Sequence, residues 1–372
     1  MSVRVLIVDD SALMRTLIAR KLTEASDIEV IGTAQNSAEA RKLIKALDPD
    51  VVTLDIEMPG MDGLSFLSKI MELRPTPVII VSGATGPGAE ATARAMRIGA
   101  VGCYAKSTAT RSIKDDDGGL LANLVREAAQ VTLSPPHKSR TSFSGGAGQS
   151  RAAAARSTSR KTGAGYEPAL ICIGSSTGGV EALHALLSDF PENCPPTLIV
   201  QHVNGGFAGA IAKSLDQDCP PHVSLAQADR PLRRGEVLIA PGDARHLMVA
   251  RSSVASAPFR AALRAGNAVS GHRPSVDALF TSAAAQAGKE SLGILLTGMG
   301  RDGANGLLAM KQAGAHTIAQ DQQSCVVFGM PRAAIELGAA ADVLPIDRIA
   351  ASVFGDAPAT RVSSSPLLEK KA

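Results

Sequence analysis

Short apolar runs rich in Val, Ile and Leu alternate with helix-length amphipathic stretches through most of this chain, and that alternation restricts the fold more than any other feature. Val3–Val8, Ile28–Ala34, Asp50–Leu54, Pro77–Val81 and Val101–Ala105 are the predicted strands of the first part. Ala169–Ile173, Thr197–Gln201, Glu236–Ala240, Leu292–Leu296 and His316–Ala319 are the clearest ones of the second. Strands separated by helices pair in parallel, and runs that are apolar throughout suit strands covered on both faces. The expected class is α/β with two doubly wound domains, a (βα)5 unit and a larger, mostly parallel, Rossmann-like unit. With no Trp, two Tyr and eight Phe, the cores must be built from aliphatic side chains. A chain of 372 residues is long enough for two such cores.

The boundary between the units is compositional. Ser134–Gly165 holds six Lys or Arg, no acid and no apolar period, and opens on Pro135–Pro136. The expected organisation is a first domain over 1–132, a flexible basic linker over 133–166, a second domain over 167–350 and a poorly ordered tail over 351–372. The remaining formal charge is net acidic, so the folded parts carry no nucleic-acid footprint. Five scattered cysteines without a C-x-x-C pair suggest neither a disulfide framework nor a zinc site. No signal-peptide pattern and no apolar stretch of roughly 18 residues is found, which predicts a cytoplasmic protein that does not insert into a membrane.

Polar residues punctuate the strand ends in an ordered way. The first strand ends in Asp9–Asp10, the third in Asp55 within DIEMPGMDG and the fourth in Ser82, and Lys106 follows the fifth. In a doubly wound sheet these carboxyl ends converge on one crevice. Three acids gathered there repel one another unless a hard cation neutralises them, and an all-oxygen donor set suits Mg2+. Asp10 and Asp55, with the backbone carbonyl of Glu57 and with Asp9 beside them, form the expected metal site. Asp55 is then the group that attacks phosphorus, while Ser82 and Lys106 stabilise the transferred oxygens. Capping of the following helices is the plainer role for any one of these acids. This ordered set resembles the response-regulator receiver family over about 130 residues. It departs in two places: Cys103 stands where the family has an aromatic, and Ser107 where it has a Pro.

The second unit repeats the arrangement with different chemistry. Ala169–Ile173 runs into GSSTGG and an amphipathic stretch from Val180 to Leu187, which puts Ser176 on a tight strand-to-helix turn. TLIVQ ends in His202, and LGILLTGMGRDG ends in a Gly-rich loop carrying Asp302. A serine, a base and an acid therefore lie in one layer at strand ends. Two Gly-rich loops also suit a phosphate or dinucleotide site, but GSSTGG is neither G-x-G-x-x-G nor a P-loop. Taken singly, Ser176 reads as a helix cap and His202 as a structural histidine.

Together, IGSSTGG, QHVNGGF, IAPGDARHLMV, GHRPSVDALF, LTGMGRDGANGL and QDQQSCVVFGMPRAAIELG resemble the catalytic domain of the chemotaxis protein-glutamate methylesterases over 170–345. The resemblance implies Ser176 as nucleophile, His202 as general base, Asp302 as triad acid, and the amides of Thr177 and Met299 as the oxyanion hole; it leaves the run Arg273–Asp277 without a role. It further implies demethylation of methyl-accepting chemotaxis receptors, glutamine deamidation, a histidine kinase of the chemotaxis type as phosphodonor, a receiver that inhibits the esterase at rest, and no cofactor in the catalytic domain. The same esterase chemistry in a signalling pathway other than chemotaxis is the alternative. A DNA-binding output domain fits poorly, since 170–345 lacks a helix-turn-helix pattern, and a catalytically dead scaffold is at odds with an intact triad.

Overall fold

The computed structural model describes residues 2–58, 63–83, 86–106, 119–131, 167–203 and 205–355. Five parallel strands open the chain: β1 (Val3–Val8), β2 (Ile28–Ala34), β3 (Val51–Asp55), β4 (Val78–Ser82) and β5 (Gly102–Ala105), in the order β2-β1-β3-β4-β5. Helices α1 (Ala12–Thr23), α2 (Ser37–Leu47), α3 (Gly63–Leu73), α4 (Pro87–Ile98) and α5 (Leu120–Ala129) cover the sheet. The local signals are direct. The Ser11 hydroxyl caps α1 by accepting the Met14 amide, and the Asn36 side-chain oxygen caps α2 by accepting the Glu39 amide while the Glu39 carboxylate reaches back to the Gln35 amide. The order reverses between β1 and β3, which brings Asp9 and Asp55 side by side at a topological switch point.

The second sheet has seven strands, all paired in parallel, in the order β14-β13-β12-β6-β7-β9-β8. They are β6 (Leu170–Ser175), β7 (Thr197–Gln201), β8 (His222–Leu225), β9 (Glu236–Ile239), β12 (Ser291–Leu295), β13 (His316–Gln320) and β14 (Asp342–Leu344). Every residue of β6 is buried, as a central strand with both faces covered requires. The chain leaves β6 through α6 (Gly179–Ser188) to β7, continues through α7 (Gly205–Asp218) to β8 and β9, and later returns to β12 on the other side of β6. A second switch point therefore lies between β6 and β12. Between the two passages an antiparallel hairpin of β10 (Arg245–Arg251) and β11 (Phe259–Ala265) forms a separate two-stranded sheet. Helices α8 (Val276–Gln286), α9 (Ala304–Gln312), α10 (Met330–Glu336) and α11 (Ile346–Phe354) complete the domain.

The α/β class with two doubly wound domains is as expected, and most predicted strands fall within a residue of those observed. Of the tail predicted over 351–372, residues 356–372 lie outside the described residues, and 351–354 belong to α11, which runs to Phe354 without a break. Ile346, Ile349, Ala350, Val353 and Phe354 recur at helical spacing, and that stripe docks on the sheet, with Ile349 buried and the Phe354 ring edge-on to Phe190 at 4.9 Å. The predicted linker at 133–166 lies outside the described residues. No helix among the described residues is long and apolar enough to cross a membrane.

The two domains touch. Ala89, Ala93 and Met96 of α4 share an apolar cluster with Val180 and Leu183 of α6 and Phe207 and Ile211 of α7. Two ion pairs flank this seam, Glu90–Lys213 and Arg97–Asp218, both at 2.7 Å.

Candidate active site

The turn that carries Ser176 is built by close approach. The Ser176 amide donates to the Thr297 carbonyl beyond β12, and the His202 amide donates to Ser175, so the ends of β6, β7 and β12 are laced together beyond the sheet. Gly178 adopts φ +75°, and a Cβ there would lie 2.4 Å from the Val326 side chain. A Cβ on Gly298 would lie 2.6 Å from Ser176 Cβ. Gln201 secures the same turn from below: it accepts from the Ser175 hydroxyl at 2.6 Å and donates to the Ser176 and His202 carbonyls at 2.9 and 3.0 Å.

Asp302 is buried and fully engaged. Oδ2 accepts from His202 Nε2 and the Val276 amide, each at 2.8 Å, while Oδ1 accepts from the Ser275 hydroxyl at 2.7 Å and the Asp277 amide at 3.0 Å. The carboxylate thus sits on the N-terminus of α8, where free amides and the helix dipole favour an anion. Burial alone raises its pKa, but the hydrogen bond and charge of His202, with the Asp277 amide and Ser275 hydroxyl, outweigh it and hold the carboxyl below the ordinary value. The run Arg273–Asp277, left without a role by the sequence, is thus the cradle of this acid.

With Nε2 committed to Asp302, His202 presents Nδ1, which is buried and accepts or donates no hydrogen bond among the described residues. Ser176 and His202 follow the paired ends of β6 and β7, yet no Ser176–His202 hydrogen bond is formed in this state; such bonds often tighten only when substrate is bound. His272 stacks on His202 with ring centroids 3.9 Å apart and planes 1° from parallel. Its pKa is lowered by burial and by the neighbouring imidazole, against the pull of Asp302 and Glu127. His202, His272 and Asp302 bring potential ligand atoms within 4.8 Å of one another, but parallel ring planes do not aim their lone pairs at one ion. No hydrogen bond engages the amides of Thr177 or Met299 among the described residues.

The other domain reaches this site. Glu127 of α5 accepts a hydrogen bond from the Thr177 hydroxyl at 3.0 Å, and burial raises its pKa against that bond and the nearby His272. Met299, Val326 and Val327 pack against the apolar cluster that includes Leu121 and Val125 of the same helix.

At the first switch point Lys106 Nζ lies 2.6 Å from Asp55 Oδ2 and 3.5 Å from Asp9 Oδ2. Asp9 and Asp55 are buried and Asp10 is exposed; oxygens of all three come within 4.8 Å of one another. Burial and the Asp55 charge raise the Asp9 pKa, and its Oδ2 accepts no hydrogen bond. A buried, under-coordinated carboxylate oxygen in an all-oxygen cluster fits a hard divalent cation. The Glu57 amide donates to Asp55 Oδ1 at 2.9 Å, which orients the carboxylate. The Ser82 hydroxyl is turned away, donating to the Gly88 carbonyl in the first turn of α4 at 3.0 Å. Cys103 is packed against the cluster that contains α4, and burial pushes its thiol up to about 12.

Residues 171–353 match the CheB methylesterase family and residues 5–116 match the response regulator receiver domain. A protein-glutamate methylesterase/protein-glutamine glutaminase of Caulobacter vibrioides is 47% identical over 359 residues, covering 96% of this chain and 99% of that protein. This chain belongs to the CheB methylesterase family. A like-named protein of Dechloromonas aromatica is 42% identical over 353 residues, 95% of this chain and 97% of its own. Among solved structures, the CheB methylesterase catalytic domain of Thermotoga maritima is 34% identical, covering 50% of this chain and 97% of that one, with a TM-score of 0.48.

Several residues of this CheB-family site were not singled out by sequence. Gln201, Ser275 and Asp277 lie inside the quoted runs, and their polar identity within apolar surroundings was the available signal. His246 was another, in IAPGDARHLMV. His272 stands in GHRPSVDALF as well, whereas Glu127 gave no signal, because it lies on a helix of the other domain.

Proposed function

We propose that the chain is a phosphorylation-controlled protein-glutamate methylesterase in which Ser176, His202 and Asp302 act as one catalytic unit. The observation that carries this is the Asp302–His202 Nε2 bond of 2.8 Å, which leaves Nδ1 buried and without a hydrogen-bond partner among the described residues. Ser176 Oγ attacks the γ-carbonyl of a glutamyl methyl ester while His202 Nδ1 takes its proton. Asp302 fixes the tautomer and stabilises the imidazolium. The Thr177 and Met299 amides hold the oxyanion. Nδ1 returns the proton to the departing methoxide, and a water activated by the same nitrogen clears the acyl-enzyme to leave glutamate. A glutamine side chain follows the same path with ammonia leaving. The names of the relatives support both activities, and methylated chemoreceptors are the substrate they suggest.

In the receiver, Asp9, Asp10, Asp55 and the Glu57 carbonyl are the groups to hold Mg2+, which when bound offsets the charge on the phosphoryl group. Asp55 accepts that group from a histidine kinase; Lys106 and Ser82 contact its oxygens. Drawing Ser82 toward Asp55 releases the Gly88 carbonyl and so perturbs α4, the helix that seals the domain seam. At rest, α5 lies against the nucleophile turn and restricts access. The test is methanol release from methylated receptor membranes by wild type and Ser176→Ala: turnover must vanish in the variant, and retention of half the wild-type rate ends the triad reading.

A further inference from the structure

The hairpin of β10 and β11 belongs to neither sheet layer, and the mechanism above makes no use of it. Its second residue, His246, is nonetheless buried at 4% exposure and bonded at both ring nitrogens. Nε2 meets the Asn267 carbonyl at 2.9 Å, and Nδ1 meets the Ser275 amide at 3.2 Å. A carbonyl only accepts and a backbone amide only donates, so the partners fix the ring proton on Nε2. Ser275 is the N-cap of α8, and its hydroxyl points onward to Asp302 Oδ1 at 2.7 Å while accepting from the Ala278 amide at 3.3 Å. A continuous chain of hydrogen bonds thus runs from the hairpin through His246, Ser275 and Asp302 to His202 Nε2.

We infer that His246 is a positioning residue for the esterase reaction: by accepting the Ser275 amide it sets the N-cap whose hydroxyl orients the triad carboxylate. Three further observations fit this role. The Val249 amide of β10 donates to the Ser282 hydroxyl of α8 at 2.9 Å, so the hairpin and the helix are tied at a second point and His246 acts from a fixed frame. The loop between them is closed by Arg273 Nη1 donating to the Gly266 carbonyl at 3.0 Å. Asp302 itself has no freedom to find another orientation, because both of its oxygens are saturated by α8 and His202. Displacing the N-cap therefore displaces the acid, and with it the imidazole that must take the serine proton.

The inference rests on the triad reading, and the experiment separates the two. In the full-length, phosphodonor-treated chain, methanol release from methylated receptor membranes is followed for H246Q, H246N, S275A, S176A and D302N. A glutamine keeps an N–H donor where Nε2 was but offers nothing to the Ser275 amide. An asparagine places its carbonyl oxygen where Nδ1 was. H246Q should lower kcat about 10–100-fold with KM within about twofold, and H246N should recover most of that loss. S275A should lower kcat like H246Q, and the H246Q/S275A double variant should be little worse than either, because the two act through one carboxylate. Full activity in H246Q or S275A overturns the inference, and so does an equal kcat loss in H246Q and H246N, which marks simple cavity filling. If H246Q fails to fold, H246L takes its place against H246N, since leucine likewise offers the Ser275 amide no acceptor. Turnover surviving in S176A and D302N removes the triad reading itself; turnover lost there but kept in H246Q removes only the role of His246.

Discussion

The Thr177 hydroxyl donates a 3.0 Å hydrogen bond to Glu127 Oε2, joining the residue after the nucleophile to the last described helix of the receiver. The docked carboxyl has its pKa raised above the ordinary 4.5 by burial, partly offset by Thr177 and His272. A raised pKa means that the docked state binds the proton more tightly than the released one. Docking is therefore most stable below the ordinary carboxylate value and weakens as pH rises through the raised one. The ratio of resting to phosphorylated rate should climb with pH across that window in wild type and stay flat in Glu127→Gln. A wild-type ratio independent of pH there contradicts the coupling.

Loss of the triad acid should act through the base. Asp302→Asn presents an amide to His202 Nε2 and removes the preference for the productive tautomer, so kcat should fall by about 10⁴-fold while the fold is retained. Stopped assays of methanol release together with a thermal melt check both halves. A loss below tenfold means that His202 is oriented without Asp302.

At the first switch point Lys106 offsets the mutual repulsion of Asp9 and Asp55, its Nζ lying 3.5 and 2.6 Å from their carboxylates. Lys106→Met should destabilise the metal-free chain by about 3 kcal/mol, the usual cost of leaving a buried charge unpaired. Adding Mg2+ should restore part of it, by about 2.7 kcal/mol at a hundredfold excess over Kd. Denaturant titration with and without chelator measures both. Phosphoryl incorporation from a small phosphodonor should reach one group per chain, need Mg2+ and vanish in Asp55→Asn.

What the sequence made legible follows from where chemistry meets regular structure. Asp55, Ser176 and His202 stand out because each ends or closely follows a continuous apolar run, and Asp302 because it sits in the Gly-rich loop beyond one; parallel topology sends all such ends to one edge. The hairpin was missed for the opposite reason. RHLMVAR and FRAALRA run Leu-Met-Val-Ala and Ala-Ala-Leu without alternation and hold a single β-branched residue between them, so neither matches a strand template. His222–Leu225 and Asp342–Leu344 are simply too short to announce themselves. Glu127 is a polar residue on an amphipathic helix, a position that reads as solvent-facing until a second domain is laid against it.

The ion pairs along the seam give the last prediction. Arg97 and Asp218 are each about two-fifths exposed or less, and pairs of this kind contribute roughly 0.2–1 kcal/mol. Because both domains belong to one chain, the effective concentration of one near the other is on the order of millimolar, so a modest loss of contact energy shifts the closed population measurably. Arg97→Glu should raise the resting esterase rate about two- to fivefold and leave the phosphorylated rate alone. Adding Asp218→Arg should return the resting rate toward wild type, because the reversed pair restores the attraction. A catalytic domain beginning near Pro168 should run at the phosphorylated rate and ignore phosphodonor. If that domain is instead as slow as the resting chain while phosphorylation still accelerates the full-length protein, activation comes from new contacts made by the receiver and the seam is not a block.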